Sequence, residues 1–328
     1  MALFLFCRHC FAALLRLGLL GAVLAGVVLP AAGQFRARTP KAAPSVSPQP
    51  ALPVPADPPA VRLKLFQAAA LINTFKDSEA LAVYQEILAT VPTHYLALWQ
   101  AAVLSTRIGS RYTDETRKTA YFDAARQYAD RALLLRPEGG ESNYAVALAL
   151  FNQATLYPAG TRLVAYRDLR SHVYLATERR PDLPETWQLL GRWQYRVAHY
   201  NLLERLYSKL VLGGVPTGGD SRSAISNLEK AHQMAPQNLS FCYDLARMCR
   251  YQGRRRRAIV VLLEAEKISP VTSDDLVVSR LCRKMLPPLV RAAARRQQRI
   301  GRNTPASAHS ASESAGIPPV DTTVSKKE

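Results

Sequence analysis

The sequence predicts an all-α protein, a right-handed helical solenoid of about five helix pairs plus a C-terminal capping helix. Three observations predict it. A short pattern recurs five times in phase: a mostly small residue, an apolar one four positions on, a mostly small one three later, then a proline. Residues three and four apart share one helix face, so each recurrence marks a helix with a packing stripe and a stop. No alternating apolar–polar run of useful length argues for a strand. With 48% of its 328 residues hydrophobic, the chain can bury a sizeable core.

Taken in order, residues 1–33 read as a secretory signal. Arg8 and Arg16 supply the positive start, Leu17 to Leu29 the uncharged apolar stretch, and Pro30-Ala31-Ala32-Gly33 a small-residue cleavage site. The apolar stretch is short against the roughly 20 residues a membrane span needs. Export with cleavage, to the periplasm or beyond, is the expectation. An uncleaved N-terminal anchor is the alternative. Residues 34–59 carry eight prolines among Ala, Ser and Val and read as a semi-rigid linker.

The five recurrences follow in the region 60–299. They are Ala80, Tyr84, Ile87, Pro92; Ala125, Ala129, Ala132, Pro137; Leu169, Val173, Ala176, Pro181; Ala224, Leu228, Ala231, Pro236; and Ala258, Leu262, Ala265, Pro270. Each marks the second helix of a pair. The last two lie 34 residues apart, and the earlier spacings of 45, 44 and 55 assign insertions to repeats two to four. Trp187-x-x-Leu190-Gly191 opens the fourth pair with the W-x-x-L-G signature of a tetratricopeptide unit. A terminal helix is expected from Ser273 to about Arg299, with Thr272 and Asp275 spaced as a capping pair and Pro287-Pro288 breaking or kinking it. It would cover the open face of the last repeat. Residues 300–328, rich in Ser, Ala, Pro and Thr, are predicted to be disordered.

The fourth repeat carries more than a generic pattern. Leu189-Leu190-Gly191-Arg192-Trp193-Gln194-Tyr195-Arg196-Val197-Ala198 leads to Leu203-Glu204-Arg205, then to Leu210-Val211-Leu212-Gly213-Gly214-Val215-Pro216, before Ala224, Leu228, Ala231 and Pro236. This resembles the fourth repeat of the regulator of microtubule dynamics family. Ala97-Leu98-Trp99, Arg107-Ile108-Gly109-Ser110-Arg111 and Asp274-Asp275 resemble its bacterial branch. The resemblance covers about residues 61–286. Asn201-Leu202 and Val211-Leu212 depart from the family's aromatics, so packing of the insertion is expected to differ. The resemblance implies a tetratricopeptide-like helical domain. The microtubule and organelle links of eukaryotic members do not transfer to a chain exported into a bacterial envelope.

No enzyme signature emerges, and no cofactor or metal is expected. His94, His172, His199, His232 and His309 form no H-E-x-x-H or i, i+4 pair. The run Gly213 to Gly219 lacks the Gly-Lys-Ser/Thr ending of a phosphate loop and reads as a connector to a helix starting near Asp220. Cys242 and Cys249 sit about 10.5 Å apart along one helix, too far for a disulfide. With Cys282 they read as small buried hydrophobes.

Function is therefore sought on the inner, concave face, where the first helix of each pair points its non-packing side. Register places Tyr144 and Asn152 there from repeat three, and Gln188, Arg192, Tyr195 and Arg196 from repeat four. Repeat five adds Tyr243, Arg247, Arg250 and Tyr251. Arginines offer fork-shaped donors to carboxylates, and tyrosines add contact area. The competing role for these arginines is internal pairing with Glu185, Glu204 or Asp244. Net charge of +18 and a pI near 10.0 fit either a basic interaction surface or solvated helix faces. The leading expectation is a non-catalytic protein–protein interaction scaffold of the cell envelope that takes an acidic or carboxylate-bearing segment in this groove. The alternative is a peripheral anionic-membrane or lipid-binding protein using the basic C-terminal edge, with Arg291, Arg295, Arg296 and Arg299 facing lipid. Export argues against a nucleic-acid partner.

Overall fold

A computed structural model describes residues 57–303 as twelve α-helices. The signal-like segment, most of the linker and the tail from residue 304 lie outside the described residues. Five helix pairs follow one another. They are α1 (Pro59–Asn73) with α2 (Asp77–Thr90), α3 (Tyr95–Arg111) with α4 (Glu115–Leu135), and α5 (Gly140–Gln153) with α6 (Ala159–Arg179). Then come α7 (Pro184–Ala198) with α9 (Ser221–Met234), interrupted by α8 (Leu202–Val211), and α10 (Leu239–Tyr251) with α11 (Arg255–Glu266). The cap is α12 (Ser273–Asn303).

Each predicted stripe is buried. Ala125, Ala129 and Ala132, Leu169, Val173 and Ala176, and Ala224, Leu228 and Ala231 are all fully inaccessible. The small residues set how closely the helices approach. A methyl group added at Gly191 would lie 2.8 Å from the Leu228 Cγ and 2.9 Å from the Ala224 carbonyl oxygen. Glycine at this place lets α7 lie on the backbone of α9. Trp193, the largest fully buried side chain, donates its indole N–H to the Tyr166 carbonyl at 2.7 Å. Trp187 instead lies under Lys230, whose Nζ is 3.4 Å from the ring centre.

The predicted insertions resolve into two kinds. In repeats two and three the second helices, α4 and α6, run 21 residues against 14 for α2. In repeat four the extra residues form α8 and the turn after it. Asp220 caps α9 through the Ser223 N–H at 2.8 Å, at the helix start expected. Thr272 and Asp275 form a reciprocal capping pair, each side chain accepting from the other's backbone N–H at 3.0 Å.

One expectation needs correction in part. Pro287 and Pro288 do not break α12, which is helical across both. Each proline removes a backbone donor, a cost of about 3 kcal/mol in a helix interior. Met285, Leu286 and Leu289 on either side are buried against repeat five and hold the helix together across the gap. Arg254 stands at the N-cap of α11, and Arg255 to Arg257 form its first turn. Arg257 pairs there with Glu229 at 3.4 Å.

The cap covers α10 and α11 with Cys282, Met285, Leu286 and Leu289. Its first turn also reaches the early repeats. Asp274 accepts from Arg111 Nε at 2.7 Å, across 163 positions of sequence. The same guanidinium pairs with Asp77, whose buried carboxylate also holds Arg107 at 2.9 Å. This ion cluster ties the start of α12 to the end of α3 and the start of α2.

Candidate functional site

The first helices of the pairs pack on one another: α3 on α5, α5 on α7, and α7 on α10. The faces these helices leave free therefore follow one another along the solenoid, where such arrays carry their concave surface. Its early part is apolar, with Trp99 and Val103 of α3 and Leu148 of α5 half-buried at the edge of the core. Its later part is polar and is built around one carboxylate.

That carboxylate is Asp244 of α10, 7% exposed. Gln188 of α7 donates its side-chain N–H to Asp244 Oδ2 at 2.8 Å. The Arg192 Nε and an Arg247 terminal nitrogen approach the same group at 3.6 Å. At that distance the attraction is Coulombic and the hydrogen bonds are not made. Among the described residues, the side chains of Arg192, Arg247 and Arg250 donate no hydrogen bond to protein. Arg192 lies over the Phe151 ring at 4.7 Å, and Arg247 over Tyr243 at 5.6 Å. Stacking on an aromatic face leaves the edge donors of a guanidinium open to an incoming acceptor.

Next to this cluster stands an aromatic group. Tyr195 stacks on His199 with ring centres 4.0 Å apart, and Tyr251 lies 6.5 Å from Tyr195. Tyr251 is among the most exposed aromatics of the described chain, and Arg250 lies over its ring. Burial, with the Tyr251 hydroxyl nearby, raises the Tyr195 hydroxyl above its ordinary range, so it stays protonated and can donate.

The structure thus brings Gln188, Arg192, Tyr195, Tyr243, Arg247, Arg250 and Tyr251 together across α7 and α10. Three predicted groove residues do other work. Arg196 is taken up by Glu204 of α8 at 3.2 Å and lies between the Tyr166 and Tyr200 rings. The inserted helix fills the space in front of it. Tyr144 is buried in the core of repeats three and four. Desolvation raises its hydroxyl well above the ordinary range, with Glu185, Arg107 and Arg192 acting on it. Asn152 turns its amide back to the Leu148 carbonyl of its own helix at 2.8 Å.

At the C-terminal edge, Arg291, Arg295 and Arg296 are exposed on α12, and the Arg299 side chain lies outside the described residues. No described helix is long and apolar enough to cross a membrane. Cys242, Cys249 and Cys282 are buried and free, as the spacing required. Desolvation pushes their thiols up, that of Cys242 to about 12 and the others to about 11, which keeps them in the unreactive thiol form.

Sequence reasoning missed two features. One is the ion cluster of Asp77, Arg107, Arg111 and Asp274, which no local pattern announces. The other is α8 as a helix. Its signal was present: Asn201 and Glu204 are spaced as a capping box, and both reciprocal bonds form at 2.8 and 3.0 Å.

The family model for "Regulator of microtubule dynamics protein 1-3" matches residues 65–289. Curated relatives include Regulator of microtubule dynamics protein 3 of Mus musculus, 24% identical over 185 residues, 54% of this chain and 38% of that protein. The Bos taurus protein of the same name is 26% identical over 139 residues, 42% of this chain and 29% of its own length. The chain therefore matches well under half the length of these relatives. Among solved structures, a thermophilic TPR protein from Thermus thermophilus superposes with a TM-score of 0.50 at 14% identity. That match covers 69% of this chain and 100% of that one, and it shows the tetratricopeptide-type fold.

Proposed function

The chain belongs to the regulator of microtubule dynamics family, and on that footing we propose a non-catalytic scaffold whose groove binds a protein partner through an acidic or carboxylate-bearing segment. One observation carries this reading. Arg192 and Arg247 keep hydrogen-bond donors free beside Asp244, and Arg250 keeps its own free over Tyr251, so the site already holds one carboxylate and has donors left for another. Tyr195, Tyr243 and Tyr251 add rigid contact area on the same stretch. A peptide carboxylate would replace weak Coulombic contacts by bidentate, charge-assisted hydrogen bonds. The apolar reach of Trp99, Val103 and Leu148 would take the side chains of the segment running toward α3. The signal-like residues 1–33 support a location in the cell envelope, exported or anchored.

The test uses a fluorescein-labelled peptide rich in Asp and Glu with a free C-terminus, beside its Gln/Asn analogue. Arg247→Glu with Arg250→Glu should abolish binding of the acidic peptide, with the helical circular-dichroism signal intact. Binding retained with the charge reversed, or equal binding of the neutral analogue, refutes the reading. The second reading, a peripheral membrane protein using the basic C-terminal edge, draws on the exposure of Arg291, Arg295 and Arg296. Vesicle sedimentation with and without residues 288–328 separates the two.

A further inference from the structure

The largest feature left unused by the groove is α8. It is a ten-residue helix inserted between the two halves of repeat four, and its apolar side faces solvent. Leu202 is 80% exposed, Leu203 75%, Leu210 74% and Leu206 50%. At about 100° per residue, these four leucines fall within one arc of about 100°. Val211, also exposed, continues the apolar surface beyond Tyr207. The side away from the leucines attaches the helix: Ser208 is fully buried, and Glu204 is turned inward onto Arg196. Tyr207 lies against Gly160 of α6.

The charges are sorted as sharply as the apolar residues. Glu204, the one acidic residue of α8, is neutralised by Arg196. Arg205 and Lys209 are exposed, and they fall on the wheel directly beside Leu202, within about 60° of it. Arg205 donates to the Tyr200 and Ala198 carbonyls at 3.0 and 3.2 Å, which fixes its guanidinium at this edge and leaves its charge without a carboxylate partner among the described residues. A leucine face bordered by a cationic edge, with its only anion withdrawn, matches the depth profile of an anionic membrane surface. Acyl chains take the leucines, and phosphates take the ammonium and guanidinium groups. The capping box at Asn201 and the Arg196–Glu204 pair hold the helix formed before it meets lipid, so little ordering remains to oppose binding.

A second copy of the chain fits this face less well. Ten residues make a helix about 15 Å long, too short alone to bury the roughly 800 Å² per partner of a stable interface. A two-fold contact would also bring two Arg205–Lys209 edges together. We infer that α8 is a lipid-docking helix, which lays Leu202, Leu203, Leu206 and Leu210 into the interface of an anionic bilayer with Arg205 and Lys209 among the headgroups. This assigns membrane contact to repeat four instead of the C-terminal edge, and it stands independently of what the groove binds.

The experiment uses the full chain carrying Leu206→Trp, read by difference from the wild type with its three native tryptophans. Because the apolar N-terminal segment offers a second route onto vesicles, the readout is local to α8. With phosphatidylglycerol-containing vesicles, the introduced indole should shift its emission to the blue and be quenched by brominated lipid. With phosphatidylcholine alone it should do neither. Arg205→Glu with Lys209→Glu, added to the reporter, should weaken the bromolipid quenching by roughly tenfold or more. An indole that stays equally open to acrylamide with and without anionic vesicles overturns the inference. So does quenching that survives the charge reversal. A blue shift that appears without lipid and rises with protein concentration, together with a dimer in sedimentation velocity, also overturns it, by making α8 a contact between copies. The stripe is exposed, so the reporter should leave the circular-dichroism spectrum unchanged. If it does not, Leu210→Trp provides the same reading one turn further on.

Discussion

The hold of α8 on the solenoid can be tested at one residue. Glu204 accepts from Arg196, whose contacts include one at 3.2 Å, and from the Asn201 backbone N–H at 3.0 Å. Its side chain is 11% exposed and that of Arg196 27%. Burial raises the Glu204 pKa, but the Arg196 hydrogen bonds, the Asn201 N–H and the nearby guanidinium charges outweigh it and bring the carboxyl below its usual range. Replacement by Gln keeps an acceptor for Asn201 and removes only the charge, a loss of about 1 kcal/mol for a partly exposed pair. Replacement by Ala removes both the cap and the charged bonds, about 2 to 3 kcal/mol. Because α8 packs mainly on α6, the loss should be local. Hydrogen exchange of the Ser208 to Leu212 amides should accelerate about thirtyfold or more for Glu204→Ala, and about fivefold for Glu204→Gln. The thermal midpoint should move little. The pH dependence has a definite sign. A carboxyl with a depressed folded pKa contributes its stability above the unfolded value of about 4.3 and loses it as pH falls through the folded value. The same amides should therefore open at acid pH and stay protected from about pH 5 upward. Unchanged exchange in Glu204→Ala, or a global loss of stability equal to the local one, would refute the assignment of Glu204 as the anchor.

Other substitutions test the packing and the groove. Gly191→Ala should destabilise the whole solenoid by about 1 to 3 kcal/mol, read by urea titration, because the added methyl meets the Ala224 carbonyl oxygen at 2.9 Å. Asp244→Asn should keep the Gln188 bond and free Arg192 and Arg247 from their internal counter-charge. Acidic-peptide affinity should rise about fivefold by titration calorimetry, against a small loss of stability. Pro287→Ala with Pro288→Ala restores two backbone donors inside a helix that is already continuous, and should raise the thermal midpoint.

Much of the fold was legible because it is written locally. A stripe such as Ala224, Leu228 and Ala231 needs only the helical period and the small size of alanine to announce a packed second helix. Its proline announces the end. The groove was legible in part for the same reason, since register decides which way Gln188, Arg192 and Arg247 point. Register alone could not show that Tyr144 is sealed into the core, or that Asn152 turns to its own backbone. Those outcomes depend on neighbouring helices and on competition between acceptors, which sequence spacing does not contain.

By itself, then, the chain's sequence determined the number of helix pairs, their order, their buried stripes, the start of α9 and the capping of α12, all consequences of interactions within a few residues. Tertiary structure alone decided which charges meet. It joined Arg111 to Asp274 across the chain, spent Arg196 on Glu204, and left Arg192 and Arg247 with donors to spare beside Asp244. It also decided that α8 turns its leucines outward, because only the docked position of its Ser208 side shows which face is left for another partner. Charge pairing and exposure are relations between elements, so they exist only once the elements are packed.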